Sequence, residues 1–223
     1  MFRTLVALGL GLGLALALSG DAVGASTGEH KYVGVAKCKS CHKKKLIGNQ
    51  YAKWQDTKHA KAFEVLKSED AVKIAKEKGL AKPPHEAPEC LKCHVTAYDV
   101  DPAMIAKKPL DPAKGVQCES CHGPGSAYRK KKIMSDREKS IAAGMWEPGK
   151  DEKICTACHN DESPSWDPAK YKLAGGGTAG FDHEQAMEEI AHPIPEDVKG
   201  RYIEIEKERK KQGKADADEG EDE

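Results

Sequence analysis

Gly115-Val-Gln-Cys118-Glu-Ser-Cys121-His122-Gly-Pro-Gly125 is the stretch from which the rest of the chain can be read. Two thiols three residues apart, with a histidine directly behind, can add to the two vinyl groups of one porphyrin and place an imidazole beneath its iron. The same five-residue word recurs as Cys38-Lys-Ser-Cys41-His42, Cys90-Leu-Lys-Cys93-His94 and Cys155-Thr-Ala-Cys158-His159. These four copies use all 8 cysteines, and histidine follows every pair although the chain has only 9 His in 223 residues. A lone Cys-x-x-Cys also fits zinc ribbons or dithiol redox sites. Four of four with the trailing histidine read as four c-type haems, each iron held from one side by His42, His94, His122 or His159.

The composition agrees with a fold that leans on such groups. Only 39% of residues are hydrophobic, leader included, and 5% are aromatic. A chain this polar has little with which to build a core of its own, whereas each porphyrin brings a large apolar face. The expected class is therefore mainly α: a small helical multihaem cytochrome with long loops, its core organised around four covalently bound haems. Arg3, the apolar run from Leu5 to Leu18 and the small-residue ending Val23-Gly24-Ala25 read as a cleaved signal peptide over 1–25. That run is too short and too glycine-rich for a stable membrane anchor, and the expected location is periplasmic. The mature tetrahaem domain is expected over 26–213, followed by an acidic disordered tail over 214–223. Formal charge balances at 36 basic and 36 acidic residues, but 26–213 alone holds 34 basic and 29 acidic ones. An exported haem protein with so little net charge is not a nucleic-acid binder.

Between the motifs, 43–66 reads as one helix with His59 in its middle, flanked by Ala60 and Ala62, small enough for a porphyrin to approach. Ser68-Glu-Asp70 reads as a fresh helix start, and Gly79 with Pro83-Pro84 as its stop. Pro102, Pro109 and Pro112 argue against a long helix between the second and third motifs. Ser135-Asp-Arg-Glu138 has the form of a capping box opening a short helix. The glycine-rich stretch 166–180 reads as loop, with 184–191 and 196–212 as helices. The glycine of Gly123-Pro-Gly125 leaves room for a neighbouring haem, unless it serves an ordinary turn. The basic runs 43–45 and 129–132 read as solvated faces or as steering surfaces for an acidic partner.

Beyond the four proximal ligands, His30, His59, His85, His183 and His192 remain, and a low-spin haem needs a second strong axial ligand. His59 and His192 are the candidates, His192 closing a helix just before a proline; His85 and His183 read as loop residues. Cys38–His42 with the downstream Trp54…Thr57-Lys-His59-Ala-Lys-Ala segment, the 115–125 stretch, and Phe181-Asp182 with His192 together resemble the cytochrome c-554 family of tetrahaem electron carriers. The resemblance spans about residues 35–192. It implies that His59 stands opposite His122 on the third haem and His192 opposite His159 on the fourth. It also implies that His94 is the sole protein ligand of a pentacoordinate second haem. The chain departs from the family at the first haem, because 126–134 has no histidine where the family places a distal ligand. Met134, a lysine, Tyr128, His30 or no ligand at all stay open opposite His42.

The expected function is a periplasmic electron carrier between redox partner proteins; a hydroxylamine-oxidising enzyme is the partner the resemblance implies, and a quinol-linked cytochrome is the other expected one. The alternative is a haem enzyme reducing nitric oxide, nitrite or hydroxylamine at the pentacoordinate iron.

Overall fold

A computed structural model describes residues 30–107, 110–164 and 180–212. Within them the chain is helical and its helices are short. They are α1 (Val35–His42), α2 (Gln50–Gln55), α3 (Ala62–Val65), α4 (Glu69–Glu77), α5 (Pro88–His94), α6 (Cys118–His122), α7 (Lys131–Met134), α8 (Arg137–Ala142), α9 (Lys153–Thr156), α10 (His183–Ile190) and α11 (Tyr202–Lys211). The β-type pairing among the described residues is one isolated parallel bridge, Tyr32 to Ile105. No described helix is long and apolar enough to cross a membrane. The leader at 1–25, the glycine-rich stretch at 166–179 and the acidic tail lie outside the described residues.

Local chemistry explains the short helices. Gly48 and Asn49 both adopt left-handed conformations, φ 96° and 45°, so the expected helix over 43–66 breaks into a 3-10 turn at Lys45–Ile47, then α2 and α3. Thr57 ends α2 by donating its hydroxyl to the Trp54 carbonyl at 2.7 Å. His59 therefore sits in a turn between two helices rather than mid-helix. Ser68 caps α4 as expected, accepting from the Ala71 amide at 3.2 Å, and such a cap contributes about 1 kcal/mol. The cap of α8 lies one residue beyond Ser135: Asp136 accepts from Lys139 N at 3.1 Å, while Ser135 donates to the Lys131 carbonyl. The expected helix over 196–212 begins only at Tyr202, after turns and Gly200 at φ 74°.

The described core is thin in apolar side chains: Tyr32, Val35, Ile47, Leu66, Ala75, Ala87, Leu91, Tyr128 and Val198. At roughly 1.5–3 kcal/mol for each large side chain, that is little with which to offset ordering such a chain. A polar knot around the third motif does much of the organising. Gln117, 2% exposed, accepts from Val35 N at 2.9 Å and donates to the Asp111 carbonyl. Thr96, just past the second motif, takes the Gln117 amide at 2.7 Å and meets Ser120 Oγ at 2.8 Å. The third motif thus holds the approach to the first and the exit from the second.

The same stretch fixes the segment that carries His59. Val116 N donates to the His59 carbonyl at 3.0 Å and Trp54 Nε1 to the Val116 carbonyl at 2.8 Å. The chains pass so closely that a Cβ on Gly115, at φ 60°, would stand 2.7 Å from the His59 carbonyl oxygen. Glycine is required here on both counts.

Candidate functional site

The first three motifs each lie on a short helix that ends at the trailing histidine, His42, His94 or His122; the fourth begins in α9, and its Cys158 and His159 follow the helix end. The remote nitrogens of several rings are anchored by the protein. His42 Nδ1 lies 3.2 Å from Gln50 Oε1, His94 Nδ1 is 2.5 Å from the Ala62 carbonyl, and His192 Nδ1 is 2.9 Å from the Ile190 carbonyl. The His122 ring is hydrogen-bonded to the backbone of Trp146. The partners of His42, His94 and His192 accept, so in these three rings Nδ1 carries the proton and Nε2 is left with a lone pair. Metal-ligating histidines are oriented in this way.

Two pairs of imidazoles face each other. His59 and His159 have ring centres 5.9 Å apart, and His122 and His192 6.0 Å apart, both nearly perpendicular. With metal–nitrogen bonds of about 2 Å, two rings on opposite sides of one iron have centres about 6 Å apart. The pairing is the reverse of the one implied by family resemblance, which set His59 against His122 and His192 against His159. The cause is local. The His59 carbonyl is committed to Val116 beside the third motif, while its ring turns toward the fourth. Phe181 stacks on the other partner, His159, at 5.1 Å.

No second imidazole comes into ring contact with His94 or His42 among the described residues. Tyr128 is not free to serve His42, because its buried hydroxyl donates to the Gly123 carbonyl at 2.6 Å. Met134 is half-buried at the end of α7. His30 packs on Gly144, where an added Cβ would run into its ring. His85 lies in a turn beside Glu86, as expected, whereas His183 opens α10 rather than a loop and hydrogen-bonds to the Pro148 carbonyl at 2.7 Å. A Cβ on Gly123 would meet the Trp146 indole at 2.8 Å. The space after the third proximal histidine is therefore filled by that ring rather than left for a haem.

Electrostatics keep the rings in the form that binds iron. Burial lowers the His122 pKa to about 4, with His192 and His42 adding repulsion. Burial lowers His42, His59 and His159 as well. Neutral imidazole is the ligating species. The thiols meet across motifs. Cys38 is pushed up by a hydrogen bond with Cys118 and by burial, and Cys93 is drawn down to about 7 by a hydrogen bond with Cys158. Cys121 is raised to about 11 by burial, with the nearby Cys155 thiol adding to it. The motifs are thus neighbours in the order first, third, fourth, second.

These residues suit a porphyrin better than a bare ion. Among the described residues no three Cys, His, Asp or Glu side chains converge as a metal cage. The donors stand instead as spaced thiol pairs and as imidazoles facing each other across an iron's width. Sequence reasoning missed Gln50, the Ala62 carbonyl and Trp146, since nothing in the local pattern ties a buried glutamine to a histidine eight residues earlier.

A helical scaffold carrying thioether-competent thiol pairs, each with its histidine, defines the class: a c-type cytochrome with several haem attachment sites. Residues 37–123 match the family model of cytochrome c554 and c-prime. The chain is 36% identical over 157 residues to cytochrome c-554 of Nitrosomonas europaea, an alignment taking in 62% of each chain. The solved structure of reduced cytochrome c554 from that organism covers 80% of this chain, and this chain covers 83% of it, at 28% identity. The two backbones superpose loosely, with a TM-score of 0.45.

Proposed function

We propose that the protein is an exported tetrahaem electron carrier that takes single electrons from one redox protein and gives them to another. The haems supply the chemistry, iron cycling between ferric and ferrous states. The chain's part is to hold them, choose their axial ligands and keep them close enough for tunnelling. The observation that carries this reading is the pair of facing imidazoles, His59 with His159 and His122 with His192, at the separation one iron requires. The cross-motif thiol contacts support a relay running first, third, fourth, second, with the His42 and His94 haems at its ends. His59 and His192 are the distal ligands on this reading, and His42, His94, His122 and His159 the proximal ones. The leader-like residues 1–25 support a periplasmic location, and a hydroxylamine-oxidising enzyme or a quinol-linked cytochrome is the expected partner.

Intact mass and paramagnetic resonance of the matured protein test this directly. The mass should exceed the mature peptide by four haems, and two low-spin signals should come from the paired imidazoles. A bare peptide mass, or the absence of bis-imidazole low-spin signals, overturns it.

One observation favours a second reading. His94 has no facing imidazole among the described residues, so its iron would offer an open position for nitric oxide, nitrite or hydroxylamine. Catalytic turnover of one of these by the protein, supplied with an electron donor, would establish an enzyme; an iron that binds nitric oxide without turnover would leave the carrier.

A further inference from the structure

Glu119 lies inside the third motif, between its two cysteines, and is 1% exposed. The corresponding positions of the other motifs hold Lys39, Leu91 and Thr156. A buried carboxylate is costly unless its oxygens are satisfied, and here both are. Oε1 accepts from Val33 N at 2.9 Å and Gly125 N at 2.6 Å; Oε2 accepts from Gly34 N at 2.7 Å and Val33 N at 3.1 Å. Every contact is an amide hydrogen pointing at oxygen. A protonated carboxyl would have to turn a hydrogen of its own toward one of these donors, so the ring of amides fits the anion. Burial pushes the Glu119 carboxyl up, and the amides of Gly125, Val33 and Gly34 and the exposed Arg129 pull it back toward the anion. Among the described residues Arg129 is the cation acting on it, and its other titratable neighbours are Tyr32, Tyr128 and the thiols of Cys38 and Cys118.

Those two thiols are decisive for its role. Cys38 belongs to the first motif and Cys118 to the third, and they touch beside Glu119. We propose that the Glu119 carboxylate is a fixed negative charge at the seam of the first and third haem sites and holds both reduction potentials down. The inference rests on the tetrahaem reading above. A buried charge is weakly screened, and nearby negative charge stabilises the ferric over the ferrous state by Coulomb attraction. Glu119 acts through the field and through the backbone it clasps, which makes it a positioning residue.

The test is a spectroelectrochemical titration of matured wild type, Glu119→Gln and Glu119→Asp, followed by paramagnetic resonance. Intact mass comes first: a wild-type chain without four haems fails the carrier reading, and the present inference is then not what failed. With four haems present, Glu119→Gln should raise two of the four midpoints, including that of the His122 haem, and leave two unmoved. Glu119→Asp keeps the charge and should stay near wild type. No shift, equal shifts in both variants, or a shift of all four steps overturns the proposal. Should Glu119→Gln not assemble, redox-difference infrared spectra of wild type decide it. An ionised-carboxylate band perturbed on reduction, and moved in Glu119→Asp, supports the charge; a protonated carboxyl band throughout overturns it.

Discussion

The third and second motifs carry the same five-residue word and live in different surroundings. The third lies in the knot: Gln117 before it and Glu119 within it are buried and bonded to distant backbone, and after it the buried Tyr128 hydroxyl closes onto the Gly123 carbonyl. Its histidine faces His192 at 6.0 Å. The second sits on α5, which opens with Pro88 and Glu89 and keeps Glu89, Cys90, Lys92 and Cys93 at least partly exposed. It is tied in mainly through Thr96 and the bond from His94 to Ala62, and no imidazole faces it among the described residues. The motif guarantees attachment. The surroundings decide how many ligands the iron has and how much of the fold depends on it.

The largest predicted effect breaks this comparison at its root. Replacing Cys118 and Cys121 together with Ala should abolish the native fold, because the knot joins the approach to the first motif and the exit from the second through that segment. Replacing Cys90 and Cys93 should leave a trihaem protein with nearly full helical circular dichroism. Intact mass counts the haems and far-ultraviolet dichroism reports the fold. Equal damage from both double variants would show that the polar knot is not the organiser.

Attachment chemistry, helical class and the thin apolar core were legible in the chain because each rests on local pattern. The cap at Ser68 and the breaks forced by proline were legible for the same reason. The break at Gly48-Asn49 was not, since 43–66 has sustained apolar content and only the left-handed backbone, closed by Asn49 accepting from the Ala52 amide, shows where the helix stops. The pairing of histidines escaped as well. His59 lies 63 residues from His122 and 100 from His159 by numbering, and nothing in either spacing says which iron its ring will face. Packing of the 57–62 turn on Gly115 decides it. The basic runs at 43–45 and 129–132 look like solvated faces, but Lys44 and Lys131 both turn inward onto Glu206.

The ligand pairs give a second, smaller effect that sharpens the comparison. His59→Gly and His192→Gly should each convert one low-spin haem to high spin, with exogenous imidazole restoring it. The two should separate when the fourth motif is deleted with Cys155→Ala and Cys158→Ala. In that background His59→Gly should add no new high-spin signal, because its iron is already gone, whereas His192→Gly should still add one. The opposite result would restore the pairing implied by family resemblance and refute the one seen here. Neither variant should alter the His94 haem.

The smallest effect tests whether the first and third motifs are held together from outside as well as from within. Glu206, 9% exposed on α11, is bonded to Lys44 just beyond the first motif, to Lys131 beyond the third, and to the Tyr202 hydroxyl. Removing its carboxylate takes away the acceptor that Lys44 and Lys131 share. Glu206→Ala should cost about 2–3 kcal/mol, somewhat below the loss of a fully buried pair because both lysines keep some contact with water. Exposed Glu208 on the same helix provides the control, and Glu208→Ala should stay within about 0.5 kcal/mol of wild type. Thermal unfolding read at the haem absorbance measures both. If the clamp acts as its position implies, Glu206→Ala should also broaden the low-spin signal of the His122 haem while leaving the His94 haem unchanged. A loss of stability with both signals unaltered would mean that α11 is merely attached to the molecule and takes no part in setting the two buried sites.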